Sequence, residues 1–312
     1  MTLNGTISLR LGFRRPYAVH RVFDFLAVRC VPGIEEFADG VYRRTVRLPR
    51  GHGIVELSGA DDHFVCRARL QDERDIGALE ERCRSFLDLD CDPVAIEKVL
   101  RRDPALRRPV ESHRGLRVVR TLDANELALR AVLGQQVSVA AAVTAAARAV
   151  HLFGTPLEEP SGSLTHLFPT VADIAAADLS GLKMPAARLK MPAARRVAFG
   201  RLAEALAAGD LALDAGADRT ETYVLLVALP GIGSWTASYV CMRALGDPDA
   251  FLAGDLGGRR GAAALGLPEA TRALEAHSER WRPWRAYGLQ YLWAAISRIN
   301  RRVMLPSDVR IV

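Results

Sequence analysis

Lysine is almost missing from this chain. Of 42 basic side chains only Lys98, Lys183 and Lys190 are lysines, and none lies beyond residue 190. Chemistry that needs an amine nucleophile in the C-terminal third, such as a Schiff base, is therefore excluded there. The preference for arginine is what a GC-rich coding sequence produces. Cysteine is scarce as well: Cys30, Cys66, Cys83, Cys91 and Cys241 are odd in number, and no two are spaced C-x-x-C. Neither a disulfide framework nor a zinc site is expected, and the five read as small buried hydrophobes in a reducing compartment. No apolar run approaches the roughly 20 residues of a bilayer crossing. The first residues, Met1 to Arg14, lack the apolar stretch and small-residue cleavage site of a secretory signal. A cytoplasmic protein with no membrane partner is the expectation.

What is present is a long, basic and hydrophobic chain. Its 312 residues, 49% of them hydrophobic, are enough for two or three compact cores. The net charge is +6. Arg272 to Val312 holds eight arginines against Glu275, Glu279 and Asp308, a local net of +5. Such a distribution fits a phosphate-binding surface or a solvated helical face.

Periodicity divides the chain. Ile7, Leu9 and Leu11 alternate as in a half-buried strand, residues 17–30 repeat at helical spacing, and 40–48, 53–58 and 63–70 read as strands between turn-rich segments. From residue 76 onward the pattern is helical, in many short segments: 76–87, 93–101, 124–134, 137–152, 171–178, 193–208, 219–228, 235–245, 269–277 and 284–302. The fold class predicted is α+β: a small antiparallel sheet domain over 1–88, then a helical region over 89–312. The helical region reads as a middle subdomain near 113–245 and a second one from 89–112 plus 246–312. Leu182–Arg188 recurs at once as Leu189–Arg195, a tandem duplication that enlarges an interhelical connection. Longer loops cost little closure entropy, so it is expected to be tolerated.

The most informative stretch is Leu225-Leu226-Val227-Ala228-Leu229-Pro230-Gly231-Ile232-Gly233-Ser234-Trp235-Thr236-Ala237. One helix ends at Pro230, two glycines permit a tight turn, and a second helix starts near Ser234 as its N-cap. Free backbone N–H groups at a helix start hold anions, and a hairpin of this kind grips DNA phosphate without reading sequence. A plain αα-hairpin is the other reading. An acid follows: Phe251-Leu252-Ala253-Gly254-Asp255 places Asp255 20 residues beyond Trp235.

A hairpin, a helix and a Gly-containing loop that ends in aspartate resemble the HhH-GPD superfamily of base-excision DNA glycosylases, and within it the bacterial 3-methyladenine DNA glycosylase II (AlkA) family. The resemblance runs through Arg15-Pro16-Tyr17, Phe25-Leu26-Ala27, Cys91-Asp92-Pro93, Arg130 to Ser138, Trp281-Arg282-Pro283-Trp284-Arg285 and Trp293. It implies double-stranded DNA with alkylated bases as partner, a nucleoid-associated cytoplasmic location and, by default, a monomer. Cutting an N-glycosidic bond builds positive charge on the sugar, which a fixed carboxylate stabilises; Asp255 is the candidate, a helix N-cap being its bland alternative.

Where lyase members of the superfamily place a nucleophilic lysine, this chain has Trp235, so hydrolysis without strand cleavage is implied. No cofactor is required. The four closely spaced cysteines of an iron–sulfur cluster are absent. The resemblance puts Trp235, Tyr239, Trp293 and Phe25 around an aromatic cleft for an extruded cationic base; Phe25 fits ordinary core packing equally well. It implies DNA contacts from Gln135, Gln136, Gly231, Gly233, Ser234 and Thr236. Gln136 stands where the family has an apolar wedge that fills the gap left by the flipped base. A structural Na⁺ or K⁺ would fall on the carbonyls of Val227, Leu229 and Ile232. Gly257, Gly258 and Gly261 depart from a good helix start, each costing about 1 kcal/mol against Ala, and imply either a loosened Asp255 or a close approach to DNA backbone. Two rivals remain: a bifunctional oxidised-purine glycosylase, which the missing lysine disfavours, and a non-catalytic DNA-binding module.

Overall fold

In the computed structural model, residues 5–177, 179, 189–214 and 216–304 are described, the side chains only as far as residue 296. The first copy of the duplicated heptapeptide and the end of the basic C-terminal segment lie outside the described residues. The chain is α+β. It divides into two compact units, one built from the described parts of Met1–Arg14, Val19–Cys91 and Val119–Gly246, the other from Arg15–Ala18, Asp92–Val118 and the described part of Asp247–Val312.

In the first unit, strands β1 (Ile7–Gly12), β2 (Glu35–Ala38), β3 (Val41–Leu48), β4 (Gly51–Gly59) and β5 (His63–Leu70) form one antiparallel sheet in the order β1-β5-β4-β3-β2. Its register pairs Leu9 with Cys66 and Tyr42 with Leu57. Leu11, Tyr42, Leu57, Phe64, Cys66 and Leu70 are fully buried, as period-2 alternation on a half-covered sheet requires. Helices α1 (Val19–Ala27) and α2 (Ile76–Phe86) follow β1 and β5.

The same unit holds α5 (Ala124–Leu133), α6 (Val139–Phe153), a two-stranded ribbon β6 (Thr155–Ser161) and β7 (Leu164–Leu167), then α7 (Val171–Ala175), α8 (Ala193–Ala208), α9 (Arg219–Ala228) and α10 (Ser234–Arg243). Leu129, Val132, Phe199, Leu202, Leu226 and Val240 centre their core. Sheet and helices are joined by apolar contacts, such as Ile34 with the helical core and Ile54 with the ribbon, and by buried charges. Arg44 of β3 donates to Glu126 of α5 at 2.6 Å and to Glu35 of β2 at 3.3 Å. Arg130 of α5 donates to Glu35 at 3.0 Å and to Glu126 at 2.7 Å. The Tyr42 hydroxyl donates to Glu35 at 2.6 Å. Burial alone pushes the Glu35 carboxyl upward, but Arg130, Arg44 and Tyr42 outweigh it and hold it below its ordinary value.

The second unit contains α3 (Pro93–Leu100), α4 (Pro104–Ser112), α11 (Leu256–Ala264), α12 (Thr271–Ser278) and α13 (Arg285–Met304). Trp281 is its largest fully buried side chain. The indole N–H of Trp281 and Nε2 of His277 both meet Oδ2 of Asp103, at 2.8 and 2.6 Å, at the N-cap of α4.

The alternation and helix signals located most elements. They missed β2, the β6–β7 ribbon and α4, and α11 was expected only from the resemblance, as the helix after Asp255. Pro156 and Pro160 obscure the ribbon, Pro104 and Pro109 obscure α4, and three glycines obscure α11.

Candidate functional site

The hairpin is built by two glycines with different tasks. Helix α9 ends when Leu229 turns to φ −75° and ψ 131°. The Leu229 carbonyl then accepts the N–H of Ile232 at 3.0 Å. Gly231 has φ +84°, and a β-carbon there would lie 2.7 Å from Cβ of Ala198 in α8. Both the left-handed backbone and the helix contact demand glycine.

Gly233, extended at φ −91° and ψ 173°, is the N-cap of α10. The expected cap at Ser234 is corrected by one position: the chain is still extended at Gly233, whose carbonyl takes the N–H of Ala237 at 3.0 Å, and Ser234 is already helical. A glycine cap offers no side-chain oxygen to the helix start. Gly231, Gly233 and Ser234 are exposed.

Thr236 and Gln135 are used internally. Thr236 is 3% exposed. Nε2 of Gln135 donates to the Gly231 carbonyl at 2.9 Å and to Oγ1 of Thr236 at 3.0 Å. This strut pins the α5–α6 turn to the hairpin. Gln136, next in the chain, is exposed at the tip of that turn with φ +55°, a region a non-glycine residue enters at some energetic cost. Its tip position suits a side chain that projects away from the protein.

Trp235 and Tyr239 sit four residues apart on α10, the spacing that aligns side chains on one face. Their rings stack at 5.2 Å with 9° between planes, and both are half-buried. One turn further, the buried Arg243 donates to the carbonyl of Val119, and its guanidinium lies 5.2 Å from the Tyr239 ring centroid and 4.4 Å from that of Phe25. Arg29 lies 3.9 Å from the Phe25 ring, its pKa pulled down to about 10, chiefly by burial. Two guanidinium groups over one phenyl ring work against a cationic ligand on it. Phe25 thus fits the packing alternative better than the cleft. Sequence reasoning missed Arg29 and Arg243; the trace was helical spacing, Arg29 standing four residues after Phe25 and Arg243 four after Tyr239.

In the second unit Asp255 is the N-cap of α11, its Oδ2 accepting the N–H of Gly258 at 2.6 Å. The indole N–H of Trp293, from α13, donates to the same Oδ2 at 2.7 Å. Capping and chemical availability are therefore not alternatives: the cap is what fixes the carboxylate. A β-carbon at Gly257 would come within 3.1 Å of that Oδ2 and 3.2 Å of Trp293 Nε1. One at Gly258 would meet Leu289 at 2.9 Å, and one at Gly261 would overlap the Leu292 carbonyl.

The glycines that made α11 illegible are the reason it packs so closely on α13, and the helix forms despite their propensity. Asp255 nevertheless keeps its place as the cap of α11. Arg282 and Arg285 of the basic C-terminal segment pair with Asp249 at 2.5 and 2.9 Å, and both also with Glu279. Their charge is thus partly neutralised within the unit.

Among the described residues no group of three His, Cys, Asp or Glu side chains is placed to hold a metal ion. The carbonyls of Val227, Leu229 and Ile232 flank the end of α9 and the turn; neutral oxygens of this kind suit a hard monovalent cation. No helix of the described residues is long and apolar enough to cross a membrane.

The first unit thus joins a five-stranded sheet to a helical core with a glycine-cornered hairpin, and the second holds an aspartate at a helix start. Two family models match: the AlkA N-terminal domain over residues 8–123 and the HhH-GPD superfamily base excision DNA repair protein over 129–286. The chain belongs to the HhH-GPD superfamily. It is 49% identical over 292 residues to a probable bifunctional transcriptional activator/DNA repair enzyme AlkA of Mycobacterium tuberculosis, covering 94% of this chain and 58% of that protein. It is 33% identical over 288 residues to DNA-3-methyladenine glycosylase 2 of Escherichia coli, covering 91% and 95%. A 3-methyladenine DNA-glycosylase structure from Archaeoglobus fulgidus superposes with a TM-score of 0.78 at 22% identity, over 96% of this chain and all of that one, a likeness of fold.

Proposed function

We propose that this chain is a monofunctional DNA glycosylase that hydrolyses the N-glycosidic bond of alkylated purines such as 3-methyladenine in duplex DNA, acting as a monomer. The observation that carries the reading is Asp255: a carboxylate fixed by two N–H donors on one oxygen, in a chain of this superfamily. As the base departs, positive charge grows on the sugar, and a carboxylate already oriented stabilises it without reorganisation. An alkylated purine is cationic and leaves readily, so no general acid is needed. What the protein adds is extrusion and recognition. The stacked Trp235–Tyr239 pair offers an electron-rich surface to the base, worth about 1–3 kcal/mol in stacking. Gln136 at the tip of the α5–α6 turn would fill the gap left in the duplex. The exposed start of α10 at Gly231, Gly233 and Ser234 would hold a phosphate, with Na⁺ or K⁺ on the carbonyls of Val227, Leu229 and Ile232 adding positive charge there.

The lyase branch is disfavoured by Trp235 standing where its lysine would be. The test is release of free 3-methyladenine from methylated duplex DNA, with the strand intact until alkali treatment. Release with an intact strand supports the reading. Strand cleavage before alkali would replace it with a lyase, and tight binding to abasic-site DNA without any release would replace it with a binding module.

A further inference from the structure

Trp293 is expected, by family resemblance, to stack on the base. The structure gives it another task. We infer that Trp293 is a positioning residue that aims Asp255 through its indole N–H, and that Gly257 is glycine to leave room for that bond. The inference rests on the glycosylase reading and deepens it.

Three observations in one unit carry it. The indole N–H of Trp293 reaches Oδ2 of Asp255 at 2.7 Å, and the N–H of Gly258 reaches the same oxygen at 2.6 Å. Two donors from two different helices on a single oxygen fix the plane of the carboxylate as well as its position, which one cap bond does not. Next, Gly257 faces both partners of the tryptophan bond: its β-carbon would stand 3.1 Å from Oδ2 and 3.2 Å from both Cδ1 and Nε1 of Trp293. Finally, Gly258 and Gly261 let α11 lie against α13 at Leu289 and Leu292, in the turn of α13 that immediately precedes Trp293. The glycine run thus sets the separation between the helix that starts at Asp255 and the helix that bears its donor. A ring whose polar edge is engaged in this way is held by the carboxylate, whatever its faces touch.

The experiment compares the full chain with Trp293→Phe, Gly257→Ala, Asp255→Asn and the Trp293→Phe/Asp255→Asn double variant. Each is measured for the single-turnover rate of 3-methyladenine release at saturating enzyme and for affinity toward duplex DNA holding a tetrahydrofuran abasic analogue. Thermal unfolding is followed on every variant. Phenylalanine keeps the ring and removes only the N–H, so the rate is expected to fall about 10- to 100-fold, the size of a lost hydrogen bond to a charged group. Affinity for the abasic analogue should stay within about twofold. Gly257→Ala, which removes no polar group, should lower the rate by roughly tenfold by shifting the carboxylate a few tenths of an ångström. In the Asp255→Asn background, Trp293→Phe should cost nothing further, because the tryptophan acts through the carboxylate.

A parent-like rate for Trp293→Phe would overturn the inference in favour of a stacking role, as would a further loss from Trp293→Phe in the Asp255→Asn background as large as its loss in the parent. So would equal losses of rate and affinity. If the parent releases no base, or Asp255→Asn releases it at the parent rate, the glycosylase or catalytic reading itself has failed and the inference falls with it.

Discussion

The two units hold their key residues by opposite means. In the first, Trp235, Tyr239 and Gln136 stand on elements braced by polar side chains: the buried Glu35–Arg44–Glu126–Arg130 cluster between sheet and α5, and the half-buried Gln135 strut to the hairpin. In the second, Asp255 is aimed by the absence of side chains, through glycines that bring α11 onto α13. The difference teaches how each region can fail. Losing one member of a buried ionic cluster strands its partners, which is costly. Adding one methyl group to a glycine-mediated contact displaces a carboxylate that must be aimed.

The largest effect expected from breaking this contrast is in the ionic cluster. Arg44→Met leaves Glu35 and Glu126 partly uncompensated and should destabilise the protein by about 3–5 kcal/mol, measured by urea unfolding. A loss below about 1 kcal/mol would mean that the cluster is not what joins the sheet to α5. Next comes Gly261→Ala, where overlap with the Leu292 carbonyl forces α11 and α13 apart; about 1–3 kcal/mol is expected, with base release falling alongside stability. Unchanged release would show that the helix spacing does not aim Asp255.

A smaller effect follows from acid. The Glu35 carboxyl is held below its ordinary 4.5, the pull of Arg130 and Arg44 outweighing burial. Its contribution is therefore fully present above that value and is lost as pH falls through the lowered folded value. Stability of the parent should fall below pH 4.5, and Glu35→Gln should make that fall shallower; parallel curves would contradict the assignment. Smallest is Gln135→Ala, which removes two neutral hydrogen bonds from a half-buried side chain and should cost about 1 kcal/mol. Abasic-DNA affinity should drop through a loosened turn, and Thr236→Val should add little to it.

How much of this was legible beforehand follows the same division. Alternation at Phe64, Cys66, Ala68 and Leu70 announced a strand because side chains carry period-2 information. Asp255 and Trp235 drew attention because a glycine-rich turn followed by an acid after a Gly-containing loop is a local pattern, and the family resemblance supplied the roles expected of them. Glycine carries no side chain to signal with, so Gly257, Gly258 and Gly261 looked like helix breakers until α13 was placed beside them. Thr236 and Gln135 are 101 positions apart, and only the fold could show that they bond to each other rather than face outward. The same holds for Arg243, which reaches Phe25 from a distant segment, whereas Arg29 is its neighbour four residues on.

The central claim is that a pre-aimed Asp255 carboxylate drives base release. Its most direct test is the single-turnover rate of 3-methyladenine release by the parent and by Asp255→Asn, an isosteric change that keeps an oxygen available to cap α11. Loss of fixed charge beside the forming cation predicts a rate at least roughly 100-fold lower, with folding and abasic-DNA affinity retained. A rate equal to the parent's would contradict the account.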